Sequence, residues 1–222
     1  MPKMKTTILK REGKTAKILA AALRRGQIAV FPTETVYGLG CDATNAAAVK
    51  KIFAAKRRPS EKALPVVVSS LSQIAKYAQI TPLARSLAKK FMPGPLTLVV
   101  PMKKGVKFPA ASREKTIAFR ITSDALLRRA CRLLGQPVVA TSANISGKPP
   151  AGIFSEAQRD FSGKVPLMVD GGTLAASMPS TVLCIAFETP VILREGQIPA
   201  ARVLNALKFF AKVKEKKEND GF

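Results

Sequence analysis

The sequence predicts an α/β protein in which a mixed β-sheet is covered by helices. Short runs of β-branched and other apolar residues alternate along the chain with stretches of helical period, the order typical of a sheet flanked by helices. Nearly half of the 222 residues are hydrophobic, so the chain can bury a sizeable core. Because no linker-like stretch divides the chain, we predict one domain over residues 1–211. A lysine-rich tail, residues 212–222, is predicted to be disordered.

Capping residues and apolar spacing predict the helices. Asn45 and Ser123 are suited to begin helices, while Pro59 and Gly135 are suited to end them. In chain order, helices are predicted over or near residues 14–25, 45–57, 72–77, 82–91, 123–135, 155–161 and 199–213.

Short apolar segments between these helices predict the strands. Most are rich in valine, isoleucine, leucine or threonine and are bounded by proline, glycine or serine, as strands commonly are. They are predicted at residues 27–31, 64–68, 96–101, 116–121 and 138–141 and near residues 167, 181 and 191.

The charge balance is strongly basic. The chain has 37 Lys and Arg against 14 Asp and Glu, a net charge of +23, and the excess persists when the residues from 208 onward are left out. Such a charge favours polyanions, namely RNA, nucleotides or an acidic membrane surface. A generally basic, solvated surface is the alternative.

Several residue types and motifs are missing. Histidine is absent, which excludes a Ser-His-Asp triad and the commonest transition-metal ligand. The three cysteines form no CxxC pair, and neither GxGxxG nor GxxxxGK[ST] occurs, so no protein-held metal is expected. Since no apolar run reaches about 18 residues and no secretory signal is recognisable, we expect a cytoplasmic protein without a membrane span.

Three segments could carry chemistry. The run PTETVYGLG at residues 32–40 follows a predicted strand, and strand ends of open α/β sheets commonly bind ligands. Lys56 and Arg58 lie two apart at a predicted helix end, where they could converge on an anion if the helix unwinds. Ser142 and Asn144 follow another predicted strand and could hold phosphates. Ordinary capped turns, and a helix C-terminus complemented by basic residues, explain these patterns about as well.

Two arginines extend the set. Arg120 lies on a predicted strand that is otherwise fit for burial, so it needs a partner or a ligand that serves as one. Arg194, beside a late strand, could contact a phosphate, although a surface pair with Glu195 is the alternative.

Together these segments resemble the YrdC family of threonylcarbamoyl-AMP synthases. The resemblance covers roughly residues 14–196 and includes PTETVYGLG, the KxR motif at Lys56 and Arg58, and the SxN motif at Ser142 and Asn144. The pieces PGPLTLV, TIAFR, PSTV and REG occur in the expected order. The resemblance implies a twisted α/β sheet with a concave, positively charged face.

The resemblance also implies a reaction. L-Threonine, bicarbonate and ATP would give L-threonylcarbamoyl-AMP and pyrophosphate, with Mg²⁺ accompanying ATP. Partner proteins of a transferase complex would then pass the threonylcarbamoyl group to adenosine 37 of tRNA, which this protein would contact directly or through those partners. Fixed cations and oriented N–H donors can stabilise the anionic transition states without histidine, because the threonine amine can be its own nucleophile.

Residue roles follow from the resemblance, position by position. Lys56 and Arg58 would be catalytic and hold ATP phosphates. The remaining nucleotide contacts would be Thr116, Ser142, Asn144 and Arg194. The threonine contacts would be Thr35, Arg120 and Ser180.

The chain departs from long members of the family at two places. Long members have an NPL stretch followed by histidine after the KxR motif, whereas residues 62–67 here read KALPVV, with Val67 at the histidine position. A serine often found after the SxN motif is replaced by Pro150 or Ala151. We therefore expect a short-form enzyme with a single YrdC-like domain.

Two other functions remain open. One is a non-catalytic relative that binds RNA, including double-stranded RNA, through the same basic face. The other is a different carbamoyl-adenylate chemistry, as in the YrdC-like module of hydrogenase maturation proteins.

Overall fold

The chain forms an α/β structure with two mixed sheets, here in a computed structural model. The structure describes residues 4–59, 63–175 and 178–219, and side chains up to residue 211. Its strands are β1 (Thr7–Lys10), β2 (Ala29–Phe31), β3 (Gly38–Gly40), β4 (Val66–Val68), β5 (Leu96–Pro101), β6 (Thr116–Ile121), β7 (Val138–Val139), β8 (Thr141–Ser142), β9 (Leu167–Asp170), β10 (Thr181–Cys184) and β11 (Val191–Arg194). Its helices are α1 (Thr15–Arg24), α2 (Ala46–Lys56), α3 (Leu71–Ile74), α4 (Pro82–Phe91), α5 (Ala125–Leu134), α6 (Phe154–Phe161) and α7 (Ala200–Asn219).

The strands divide into two sheets. The first has the order β1-β9-β2-β3-β8, and the second has the order β11-β10-β5-β6-β4-β7. Both mix parallel and antiparallel neighbours; β4 and β6 are parallel, for example, while β5 and β6 are antiparallel. The predicted α/β class with a mixed, helix-covered sheet is confirmed, but the single sheet becomes two.

One segment explains the division. The strand predicted over residues 138–141 is interrupted, since Val138–Val139 pairs with β4 in the second sheet and Thr141–Ser142 pairs with β3 in the first. The chain thus crosses from one sheet to the other just before the SxN motif. This crossing could not be read from a local apolar run.

The two sheets share a core. Val30 and Leu39 of the first sheet belong to the same buried cluster as Leu98 and Phe119 of the second. A further cluster lies under α1 and α5, where Leu19 and Leu127 are fully buried with Phe31 and Val67. Burial of a side chain of this kind contributes roughly 1.5–3 kcal/mol, so both clusters stabilise the sheet edges that carry the motifs.

Helix ends agree with most of the predicted signals. The Asn45 side chain accepts from the Ala48 N–H at 3.0 Å, and Gly135 ends α5 with a left-handed φ of 78°. The cap of α5 is Asp124 rather than Ser123, because the Asp124 carboxylate accepts from the Leu127 N–H at 2.8 Å. A carboxylate at this end is also favoured by the helix dipole.

The C-terminal helix is longer than predicted. The prediction ended it near residue 213 and left residues 212–222 disordered, whereas α7 continues to Asn219. Alternating lysine and glutamate are good helix formers, which explains the extension. Residues 220–222 of the predicted tail lie outside the described residues.

Candidate active site

A cavity of about 720 Å³ lies over one face of the second sheet. Side chains alternate between the faces of a strand, so Leu98 and Phe119 enter the core while Thr97 and Ala118 face the cavity. The other strand residues on its floor are Val99, Thr116, Arg120, Val182, Cys184, Val191, Leu193 and Arg194. Its walls come from the PTETVYGLG turn and the SxN loop, as the motifs predicted. The floor is polar towards Thr97 and Arg120 and apolar towards Val191 and Leu193.

The structure brings nearly all predicted site residues together around this cavity. Of the predicted set, the described cavity lining contains Thr35, Arg58, Thr116, Arg120, Ser142, Asn144, Ser180 and Arg194. Lys56 is the exception. Ser60 and Lys62, from the segment after the KxR motif, lie outside the described residues.

Lys56 lies behind the SxN loop instead of in the cavity. Its ammonium donates to the Ser142 carbonyl and to the Asn144 carbonyl at 2.7 Å, and Asn144 Oδ1 is 3.4 Å away. The Ser146 N–H donates in turn to the Lys56 carbonyl at 3.1 Å, and the side chain is only 2% exposed. Lys56 was predicted to contact a ligand, but its ammonium instead donates its hydrogen bonds to oxygens of the SxN loop. Lys56 shapes the loop that carries Ser142 and Asn144.

The environment of Lys56 disfavours its charge. Burial, and then the positive charge of Arg58, lower the pKa of Lys56 to about 8, while the negative charge of Asp160 opposes the shift. This pKa lies below that of an unfolded lysine, so the unfolded chain binds more protons at intermediate pH.

A Lys56→Met variant tests this shift. Between pH 8 and the unfolded pKa of about 10.4, folding should release the Lys56 proton, so the wild type should gain stability as pH rises. We expect the wild-type free energy of unfolding, minus that of Lys56→Met, to increase by up to about 3 kcal/mol from about pH 7 to pH 10.5. Urea denaturation of both proteins across this range measures the difference. A pH-independent difference would contradict the lowered pKa.

Arg58 turns away from Lys56 and reaches the cavity. The intervening Arg57 ends α2 in the left-handed conformation, with φ of 51°, which separates the directions of the two side chains. Arg58 Nη2 donates to the Ala63 carbonyl at 3.1 Å, while its buried Nε has no hydrogen-bond partner among the described residues. Burial lowers the pKa of Arg58. An incompletely paired guanidinium at a cavity wall suits an anionic ligand.

Arg120 has a protein partner that the sequence did not reveal. Its Nε lies 3.1 Å from Glu34 Oε1, close enough for an ion pair, although neither atom is aligned for a hydrogen bond. The other oxygen, Glu34 Oε2, accepts from the Thr122 hydroxyl. Arg120 Nη2 lies 3.5 Å from Thr35 Oγ1, at the cavity surface. Glu34 thus holds the inner side of the guanidinium and leaves the outer side for a ligand.

Arg194 and Ser180 form a second polar corner. Arg194 donates to the Ser180 carbonyl through Nε at 3.1 Å and Nη2 at 2.8 Å, and the Ser180 hydroxyl shares a hydrogen bond of 2.8 Å with Thr97. Burial, and then the charge of Arg120, lower the pKa of Arg194. Glu195 instead accepts from the Ala200 N–H at 2.9 Å, so the alternative of an Arg194–Glu195 surface pair is wrong.

Internal hydrogen bonds order the loops on the nucleotide side of the predicted site. The Asn144 amide donates to the Ile145 carbonyl at 3.1 Å and to the Lys148 carbonyl at 2.5 Å. Thr116 shares a hydroxyl hydrogen bond of 2.9 Å with Ser112. The Asn144 amide therefore closes the loop by hydrogen bonds within it. The side of the loop that faces the cavity remains for a ligand.

Sequence reasoning missed several cavity residues. Thr33 lies inside the quoted PTETVYGLG motif, where a hydroxyl on the predicted turn was its signal. Glu34, in the same motif, is not part of the described cavity lining but contacts Arg120. Ser112, Glu114 and Lys148 also line the cavity without a recognisable signal.

The positions that depart from long family members fall into two groups. Val67 is buried in the cluster under α1 and α5 and is not part of the described cavity lining, whereas Ala63 and Pro65 are. Pro150 lines the cavity, and Ala151 is buried.

The described residues offer neither a metal-ligand cluster nor a membrane-spanning helix. The described residues hold no group of three or more His, Cys, Asp or Glu side chains arranged for a metal ion. In the same part of the chain, no helix is long and apolar enough to cross a membrane.

Comparison with known proteins identifies similar sequences. The family model described as "Telomere recombination", for Sua5, YciO and YrdC, matches residues 21–196. A protein of Pyrococcus abyssi named threonylcarbamoyl-AMP synthase is 39% identical over 188 residues, which cover 84% of this chain and 55% of that protein. Its namesake in Bacillus subtilis is 40% identical over 186 residues, covering 83% and 54%. The chain spans about half the length of these relatives.

A solved structure is similar as well. P. abyssi Sua5 complexed with L-threonine superposes with a TM-score of 0.85 at 35% identity, covering 91% of this chain and 61% of that one. That protein binds L-threonine in a fold like the present one.

Proposed function

Because the chain belongs to the Sua5/YciO/YrdC family, we propose that it is a threonylcarbamoyl-AMP synthase. It would convert L-threonine, bicarbonate and ATP into L-threonylcarbamoyl-AMP and pyrophosphate. The observation that carries the proposal is one cavity in which three arginines, Arg58, Arg120 and Arg194, meet serine and threonine hydroxyls. ATP and bicarbonate are anionic and L-threonine carries a carboxylate, so each of the three substrates presents a negative group to these arginines. The chain has no histidine for other common chemistries.

Threonine fits the corner around Arg120. The outer side of the Arg120 guanidinium would pair with the substrate carboxylate, a bidentate contact that arginine favours. Thr35 Oγ1 lies beside it, and the Ser180 hydroxyl is held nearby by Thr97 and Arg194. The substrate amine would then point towards the middle of the cavity.

ATP fits the remaining polar wall. Arg58 would contact phosphate oxygens, together with Arg194, Thr116 and the loop of Ser142 and Asn144. Lys56, proposed from the sequence as a direct contact, would act by holding that loop. Mg²⁺ would accompany ATP, held mainly by phosphate and water oxygens, since the described residues form no carboxylate cage.

The reaction proceeds in two bond-forming steps. The neutral threonine amine attacks the bicarbonate carbon, and one amine proton leaves with the bicarbonate hydroxyl as water, which gives a carbamate. A carbamate oxygen then attacks the α-phosphorus of ATP, and pyrophosphate leaves. Both transition states carry negative charge that the fixed guanidinium groups stabilise without reorganisation.

The product is a reactive adenylate that needs an acceptor. Transferase partners would pass its threonylcarbamoyl group to adenosine 37 of tRNA in the cytoplasm. The protein would bind tRNA, and double-stranded RNA in general, directly or through those partners.

A pyrophosphate assay tests the proposal. The purified protein, given ATP, bicarbonate and L-threonine, should release pyrophosphate, and omission of L-threonine should abolish the release. A protein that releases none with all three substrates is not this synthase. If such a protein still binds tRNA in a salt-dependent way, the non-catalytic RNA-binding alternative is supported instead.

A further inference from the structure

Two neighbouring helices outside the cavity carry an uncompensated positive surface. The exposed sides of α1 and α5, with their flanking residues, present a set of cations that we call the α1–α5 face: Lys14, Lys17, Arg24, Arg25, Arg128, Arg129 and Arg132. Arg128 is half-buried and the others are exposed. None of these residues lines the cavity.

The two helices lie side by side in the same direction. At their N-terminal ends Arg11 and the α5 cap Asp124 form an ion pair at 2.8 Å. At their C-terminal ends Arg24 donates to the Leu133 carbonyl at 2.6 Å. Spacings of three, four and seven residues, each close to a whole number of helical turns, place most cations of each helix on one side. They therefore form two adjacent rows.

The face lacks acidic residues. Neither α1 nor α5, both fully described, contains Asp or Glu. Of the acids that flank the helices, Asp124 is buried against Arg11, and Glu12 alone is exposed, ahead of α1. Cations three or four residues apart repel one another, and nothing on the face offsets this repulsion. Such a surface is suited to a polyanion.

A hollow adjoins the C-terminal end of α5. It has a volume of about 220 Å³ and is lined by Ser69, Ser72, Gln73, Lys76, Arg132 and Gly135. Arg132 belongs to the α1–α5 face, so the hollow continues that surface. Two cations beside two serine hydroxyls, with no acid among the lining residues, suit a phosphate group.

We propose that the α1–α5 face binds the phosphate backbone of a folded RNA such as tRNA, with one phosphate in the hollow. Five of the seven cations are arginines, whose forked donors match pairs of phosphate oxygens. The exposed large apolar side chains of the two helices are Ile18 and Leu133, one on each helix. Two such side chains among seven cations are little for insertion into lipid, so RNA is favoured over a membrane surface. This surface is separate from the cavity and does not depend on the proposed synthase activity.

Charge neutralisation on matched surfaces tests the proposal. One variant combines Lys17→Gln, Arg25→Gln, Arg129→Gln and Arg132→Gln. The control combines substitutions of two lysines and two arginines on the exposed sides of another helix pair, namely Arg85→Gln, Lys89→Gln, Arg202→Gln and Lys208→Gln. Both lower the net charge equally, and none of the eight residues lines the cavity.

Fluorescence anisotropy with labelled tRNA measures binding from about 50 to about 200 mM salt. The α1–α5 variant should bind at least about 10-fold more weakly, and its slope of log K against log salt should be shallower by about 3. The control should stay within about 2-fold of the wild type. Both variants should keep the wild-type rate of any threonine-dependent pyrophosphate release, so failure of the proposed function would be seen separately.

Three results would overturn the proposal. Equal losses in both variants would mean that net charge, and not this face, binds RNA. Wild-type affinity in the α1–α5 variant would exclude the face. Loss of binding to phosphatidylserine vesicles with tRNA binding retained would assign the face to a membrane surface.

Discussion

We expect Arg58→Ala to lower kcat for threonine-dependent pyrophosphate release by at least about 100-fold, or about 2.7 kcal/mol in transition-state stabilisation. Arg58 reaches the cavity wall with a buried Nε that lacks a hydrogen-bond partner among the described residues. A cation held in this way stabilises charge that develops on phosphate oxygens. Among the described residues, the substitution removes one hydrogen bond, to the Ala63 carbonyl, so the fold should persist.

Two further variants make the Arg58 result specific. Arg58→Lys keeps the charge but loses the forked donors, so its rate should lie between those of the wild type and Arg58→Ala. Arg57→Gln removes the neighbouring exposed cation, which is not part of the described cavity lining, and should leave kcat within about 2-fold of the wild type. Equal losses in Arg57→Gln and Arg58→Ala would indicate that the local charge matters and not the Arg58 position.

We expect Gly40→Ala to destabilise the protein by about 3 kcal/mol or more. A Cβ at Gly40 would lie 1.9 Å from the Val139 carbonyl oxygen and 2.6 Å from the Phe31 ring. The Val139 N–H donates to the Cys41 carbonyl at 2.8 Å, so the clash would separate the two sheets where the chain crosses between them. No flexible side chain can relieve a contact with backbone.

Gly13→Ala is the matched control for Gly40→Ala. A Cβ at Gly13 would have no heavy atom within 4 Å, so its free energy of unfolding should stay within about 0.5 kcal/mol of the wild type. Urea denaturation of both variants gives the comparison. A Gly40→Ala protein as stable as Gly13→Ala would mean that β3 and β7 do not approach as closely as described.

Much of the fold could be predicted because its signals are local. The Asn45 cap, the left-handed Gly135 and the apolar runs at residues 96–101 and 116–121 depend on neighbours a few residues away. Strands without such signals were missed. β3 consists of Gly-Leu-Gly and is a strand because it pairs with β2 and with the distant β8. β1 pairs with β9, some 160 positions later.

The candidate site was predictable as a set of residues but not as an arrangement. Eight of the nine predicted positions line one cavity, because strand ends and the loops after them converge at one side of a sheet. Lys56 departs from the set because loop carbonyls, 86 and 88 residues further along the chain, reach its ammonium first. The two-residue spacing of the KxR motif carries no information about carbonyl groups so distant in the sequence.

The sequence by itself determined most of the element types, most helix ends and the residues available for chemistry, since periodicity, caps and turn residues act over a few positions. Only the tertiary structure decided which of those residues face the ligand. It divided the predicted strand at 138–141 between two sheets, turned Lys56 behind the SxN loop and placed Glu34 against Arg120. These outcomes depend on contacts between distant segments, where burial and hydrogen-bond competition decide each side chain's position.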